Sequence, residues 1–221
     1  MTIALPLLNE AIRFEENTVN VLVIENIPQL RKLILSFLDQ LNGLGGEIVL
    51  AENDEILELS KTAVLITDPF SLELDSKRII SKIVQDACIA AEEYAEKLQS
   101  IILELNRLAG EMCSSFEYDV SFNELGSFDE LVKLMGFHAD TENMSFPESL
   151  LEYMKLHRKF FGKKLFVFYN LKACLSPEEL ILFYRSAMYE KLNMLLVEDI
   201  QRSSISCFEK TVIVDKDLCI I

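Results

Sequence analysis

The chain has 221 residues, half of them hydrophobic, with 21 Lys plus Arg against 36 Asp plus Glu and a formal net charge of −15. The hydrophobic fraction excludes a disordered chain, and the charge opposes a polyanionic partner unless cations are segregated or metal ions recruited. Cys88, Cys113, Cys174, Cys207 and Cys219 are widely spaced with no C-x-x-C pair, which argues against zinc and against a disulfide framework. No apolar run nears the roughly 20 residues of a membrane span and no signal-peptide pattern opens the chain, so a cytoplasmic protein with no membrane partner is expected.

In chain order, "TVNVLVIEN" (18–26) predicts an apolar strand of the kind buried on both faces of a parallel sheet. "IPQLRKLILSFLDQLNGLGG" then predicts a helix. Pro28 suits its first turn, Leu30, Leu33, Ile34, Phe37, Leu38 and Leu41 recur at helical spacing, and the glycines close it. "GEIVLAEN" and "KTAVLITDP" read as two short strands, the second stopped by Asp68 and Pro69.

Beyond them the pattern changes. Ile80, Val84, Ala87, Ala91, Tyr94, Leu98, Ile101, Leu105, Leu108 and Met112 alternate steps of four and three, a heptad seam. One helix over 76–113, about 57 Å long and projecting as a stalk, is expected. "SFDELVKLMG" and "SFPESLLEYMKLHRKFFG" predict two more helices, the second between the start signals Ser145 and Pro147 and the stop Gly162. "KKLFVFYN", "NMLLVED" and "KTVIVDK" restore the strand pattern, with a helix opened at capping-box spacing by Ser176 and Glu179.

The alternation predicts an α/β fold: a parallel-sheet head over 1–72 and 163–221, and a long helical leg insertion over 73–162.

A strand followed by a helix invites a nucleotide site, but the loop "IENIPQL" has no glycine, and no G-x-x-x-x-G-K-[ST] occurs in the chain. Asp68 resembles the strand-ending Asp that holds magnesium in P-loop enzymes, or is a turn residue. "NVLVIENIPQLRKLILSFL" and "VLITDP" also resemble a receiver domain, with Glu25, Asp68 as phosphoacceptor and Lys164. Against this stand Asn26 in place of a second acid and the long insertion. His138 and His157 sit in no nucleophile motif and read as a turn residue and an exposed helical residue.

Glu117, Asp119, Glu124, Asp129 and Glu130 crowd one short stretch. They form either a solvated, helix-capping face or a set of oxygen ligands for a hard cation such as calcium. Cations gather as Lys77, Arg78 and Lys82, and as Lys155, Arg158, Lys159, Lys163 and Lys164. They are ordinary solvated helix faces, or a basic region if the helical segment folds back on itself.

Taken together, the glycine-free opening, "VLITDP" leading into the heptads, the acidic "FEYD...ELVKLMG" stretch and the return through "GKKLFVFYN" resemble the CRISPR-associated Csn-two family of type II-A spacer-acquisition proteins. "EYD", "ELVKLMG" and "KKLFVF" carry most of the match, which spans nearly the whole chain. The resemblance implies a head related to P-loop folds without the nucleotide site, and a non-enzymatic, calcium-dependent homotetrameric ring. It implies sequence-independent binding of double-stranded DNA, especially linear ends. The implied partners are other CRISPR adaptation proteins and the RNA-guided nuclease of the same system. Carried over by motif, Glu117, Asp119 and Glu130 become calcium-site residues, with Glu124 and Asp129 as local additions. The eight cations become the DNA-contacting pool, of which Lys163 and Lys164 match a family motif. A receiver-like signalling domain phosphorylated at Asp68, or a degenerate P-loop nucleotide-binding protein, are the alternatives.

Overall fold

The computed structural model describes residues 1–205 and 207–221. In chain order the elements are β1 (Thr2–Ala4), β2 (Ile12–Arg13), β3 (Val19–Ile24), α1 (Ile27–Leu41), β4 (Val49–Glu52), β5 (Glu55–Leu57), α2 (Leu59–Thr62) and β6 (Ala63–Ile66). There follow α3 (Lys77–Ala91), α4 (Ala95–Ser114), α5 (Phe128–Leu134), α6 (Phe146–Phe161), β7 (Leu165–Tyr169), α7 (Pro177–Tyr189), β8 (Asn193–Glu198) and β9 (Glu209–Val214). Among the described residues no helix is long and apolar enough to cross a membrane.

The chain divides into two compact units, residues 1–73 with 143–221, and residues 74–142. The first is mixed α/β. Its five-stranded sheet runs β6-β7-β8-β3-β9, and every neighbouring pair is parallel. β3 is buried along its whole length, as its run of β-branched residues predicts for a strand covered on both faces. On one face Leu22, Ile24, Val167 and Leu195 pack with Leu30, Leu33 and Phe37 of α1. On the other, Val21, Val23, Phe166 and Leu196 pack with Leu150 and Met154 of α6 and with Phe183 and Tyr184 of α7.

Two features differ from the sequence expectation here. "GEIVLAEN" does form a strand, β4, but in a separate antiparallel sheet ordered β2-β1-β4-β5. And α6, assigned by sequence to an insertion over 73–162, belongs to the sheet's own packing, because its apolar stripe through Leu150 and Met154 is fully buried in that core. Its ends follow the local code. The Glu148 carboxylate accepts from the Ser145 N–H at 2.7 Å and hydroxyl at 2.6 Å, and Gly162 closes the helix at φ 65°.

The second unit holds α3, α4 and α5, with α5 lying against both α3 and α4. The expected single helix over 76–113 is two helices, interrupted by a 3-10 turn at Glu92–Tyr94. Adjacent Glu92, Glu93 and Tyr94 are all exposed there, so no packing holds the α-helical path. The heptad seam continues past the break: Ala91 is buried and Ile80, Val84, Ala87 and Leu98 are partly buried, but farther along α4 the seam is left largely exposed. Ile101, Leu105, Leu108 and Met112 remain 41% to 63% exposed, while Ile102 beside them is buried.

Candidate nucleic-acid interface

The two cation groups fall in different compact units. Lys77, Arg78 and Lys82 stand exposed on the first two turns of α3, after the N-cap Ser76, with the Lys82 ammonium donating to Gln85 at 3.1 Å. In the second group most cations are engaged locally. Lys155 pairs with Glu152 at 2.8 Å, Arg158 with Glu190 at 3.6 Å and Lys164 with Glu52 at 2.5 Å. Lys163 donates to the Ser60 carbonyl at 2.6 Å, and Lys159 lies 5.2 Å from the centre of the Phe160 ring. Exposed pairs of this kind contribute about 0–1 kcal/mol each, so they tie the start of β7 to its surroundings weakly while offsetting the charge a phosphate would meet.

The acidic stretch is spread out. Glu117, Asp119 and Glu124 are exposed in the irregular segment 115–127, and Asp129 and Glu130 lie in the first turn of α5. Two contacts anchor this segment. The Asn106 carboxamide exchanges bonds of 3.0 Å with both backbone groups of Leu125, and the Glu130 carboxylate accepts the Gly126 N–H at 2.8 Å. Burial and the neighbouring Asp129 carboxylate push the Cys88 thiol up. Among the described residues no three His, Cys, Asp or Glu side chains gather so as to hold a metal ion, and these five carboxylates do not fit a formed calcium site.

At the carboxyl end of the parallel sheet the nucleotide and receiver readings can be compared with geometry. After β3, Pro28 lacks an N–H, the Gln29 N–H goes to the Asn26 side chain at 3.2 Å, and the Leu30 N–H goes to the Asn26 carbonyl at 2.9 Å. A helix start whose amides are taken internally offers no phosphate cradle. Asp68 closes a turn, accepting from the Phe70 N–H at 3.0 Å and from the Ser71 hydroxyl; these two bonds hold its carboxyl below the usual range. The receiver reading fails on strand order. β7 and β8 stand between β6 and β3, so Asp68 and Glu25 are separated by three interstrand spacings, about 14 Å, and Lys164 is engaged with Glu52.

The strongest polar cluster is one that sequence reasoning missed. Lys172 and Glu209 form a buried pair at 2.9 Å, and Glu209 also accepts from the Tyr184 hydroxyl at 2.9 Å, the Ser204 hydroxyl at 3.1 Å and the Ile205 N–H at 3.1 Å. Glu198, fully buried, accepts from the Lys172 N–H at 3.1 Å and from Arg202 at 2.7 Å. Burial, only partly offset by the Lys172 N–H and Arg202, pushes Glu198 up to about 6. A small cavity of about 100 Å³ lies among Lys172, Glu198, Arg202 and Ser204. Paired this completely, these charges tie the β8–β9 connection to the sheet.

Residues 40–218 match the family model described as CRISPR-associated protein (Cas_Csn2). No curated protein matches the chain. Among solved structures, the ADP conformation of MJ1267, an ATP-binding cassette of an ABC transporter, is similar at 8% identity and TM-score 0.44, over 92% of this chain and 79% of that one. An inward-facing metal-chelate type ABC transporter is similar at 9% identity and TM-score 0.42, over 96% and 74%. With the family match covering most of its length, the chain belongs to the CRISPR-associated Cas_Csn2 family.

Proposed function

We propose that the chain is a non-enzymatic DNA-binding protein of CRISPR spacer acquisition. It assembles through its helical segment into a homotetrameric ring and holds double-stranded DNA, preferably a free end, without regard to sequence. Family membership supplies the CRISPR setting.

The observation that carries the assembly is the uncovered stripe on α4. Ile101, Leu105, Leu108 and Met112 keep heptad spacing and stay half exposed, a pattern that packing one copy's α4 on another's would bury. A ring also lets a chain of charge −15 gather cations on one wall and acids elsewhere. Lys77, Arg78 and Lys82 are favoured as DNA contacts, because all three stand exposed together on the first two turns of one helix, α3. Phosphate contacts of this type are salt-dependent and blind to sequence.

Calcium is the ion such an assembly would recruit through Glu117, Asp119, Glu124, Asp129 and Glu130. Since these carboxylates do not converge, binding requires the 115–127 segment to rearrange around the ion. Other adaptation proteins and the RNA-guided nuclease of the same system are the expected partners.

The test is a binding series with two short duplexes of unrelated sequence across a range of salt. Equal affinities that fall together as salt rises support the assignment; a strong preference for one sequence, or indifference to salt, contradicts it.

A further inference from the structure

The outer edge of β9 is only partly paired. β9 is the last strand of the parallel sheet, and the carbonyls of Phe208 and Val214 accept the Val19 and Glu25 amides of β3 or its flanks. In that ladder the even-numbered residues of β9 bond to β3, and the odd-numbered ones turn their N–H and C=O outward. The chain's last residues occupy part of this edge. Ile213 and Ile221 exchange both backbone bonds, at 3.2 and 2.9 Å, and the Asp215 N–H donates to the Cys219 carbonyl at 3.0 Å. Thr211, the next outward rung, has no backbone partner among the described residues. Beside it lies a cavity of about 300 Å³ bounded by Ile12 and Arg13 of β2, itself an edge strand, and by Lys210, Val212 and Ile220.

The register determines which side chains could enter. Ile220 stands opposite Val214 in antiparallel pairing and lines the cavity. A strand of the same direction, carried further along the edge, would place one side chain opposite Val212 and a second, two positions on, opposite Lys210. Both would face the cavity, because strand side chains alternate with period two. Val212, Ile12 and Ile220 favour an apolar group at the first position. Lys210 and Arg13, against the single carboxylate Glu10, favour an acid at the second.

We infer that the outer edge of β9 is a docking site for an extended peptide of a partner protein, which adds as an antiparallel strand in place of residues 218–221 and presents an apolar-x-acidic triplet to Val212, Thr211 and Lys210. This is strand addition at a sheet edge, where backbone bonds give affinity and alternate side chains give specificity. The tail already seated there supplies the direction and the phase. It is held by four backbone bonds and by the Cys219 N–H donating to the Asp215 carboxylate at 2.8 Å, so an added peptide must replace these bonds with its own. The inference is independent of DNA binding.

The test uses a fluorescent, end-blocked peptide of sequence Leu-Ala-Ile-Ile-Leu-Thr-Glu, titrated by anisotropy with the full chain, the chain lacking 218–221, and the full-length Arg13→Glu/Lys210→Glu variant. Removing the tail should tighten binding at least about tenfold, since the tail is an intramolecular competitor. The charge-reversed chain should lose the acidic peptide and bind one ending in Lys. N-methylation of the peptide Thr, opposite Thr211, should abolish binding to every form. Undiminished binding of the N-methylated peptide would overturn the proposal. So would a tail-deleted chain that pairs with itself and ignores the peptide.

Discussion

Lys172 and Glu209 meet at 2.9 Å with side chains 4% and 0% exposed, 37 residues apart in sequence. Removing one partner of such a pair leaves a buried charge without compensation and costs about 3–5 kcal/mol. Lys172→Ala should therefore lower the chemical-denaturation midpoint sharply. Lys172→Met combined with Glu209→Leu should recover much of the loss, although Tyr184 and Ser204 then lose an acceptor. Equal stability of Lys172→Ala and the parent chain would mean the pair contributes nothing.

Glu198 gives stability a pH dependence of defined sign. Its folded value, about 6, lies above the ordinary 4.5 because burial penalises the charged form. The folded chain therefore binds more protons than the unfolded chain between those values. Its contribution is fully present below pH 4.5 and is lost as pH rises through 6, amounting to about 2 kcal/mol. Glu198→Gln cannot titrate, so comparing the two chains at pH 5 and pH 8 should show the variant's relative stability improving at the higher pH. A constant difference between them would remove Glu198 as the source.

The α4 stripe predicts assembly mutants that still fold. Leu105 and Leu108 are 41% and 42% exposed, so Leu105→Asp with Leu108→Asp should change monomer stability by little, within about 0.5–1 kcal/mol. Mass by light scattering should fall to a smaller species while circular dichroism is retained. An unchanged mass would assign the stripe to something other than self-association.

Charge reversal should separate DNA contacts from structural cations. Lys77→Glu, Arg78→Glu and Lys82→Glu together should weaken duplex binding by an order of magnitude or more and reduce the salt slope by about one for each phosphate no longer neutralised. Lys163→Ala should instead lower stability by about 1 kcal/mol by removing the bond to the Ser60 carbonyl, leaving DNA affinity nearly unchanged. The opposite pattern would move the interface to β7.

Calorimetric titration of chelated protein with calcium should give saturable binding that Asp119→Asn and Glu130→Gln weaken. Glu130→Gln should also loosen the turn at Gly126, which its carboxylate now holds. Absence of heat and of any change in assembly would leave the acidic stretch with the solvated and capping roles it visibly has.

Much of the parallel sheet is legible in the sequence because its strands β3, β6, β7, β8 and β9 each carry a short run of apolar residues beside turn residues. The ends of α6 are readable from Ser145, Pro147 and Gly162, and the cap of α7 from Ser176 and Glu179, while the Ser145–Glu148 capping box is seen only in the structure. β1, β2 and β5 are not, since two or three residues carry no periodicity. Heptad spacing identifies the apolar face of α3 and α4 but not the break at Glu92–Tyr94, because a seam constrains side-chain direction more than backbone continuity. Sequence pattern groups α6 with the insertion because an apolar stripe does not state which surface it meets. The Lys172–Glu209–Glu198 cluster gives no local sign, as its members meet only once β8 and β9 flank β3.

Linear and closed-circular duplex DNA of equal length, each mixed with the protein in calcium and in chelator while mass is followed by light scattering, address the central claim most directly. The ring predicts tetramers that bind the linear form, fail on the closed circle, and lose mass or binding in chelator. A monomer indifferent to both DNA forms and to calcium would contradict it.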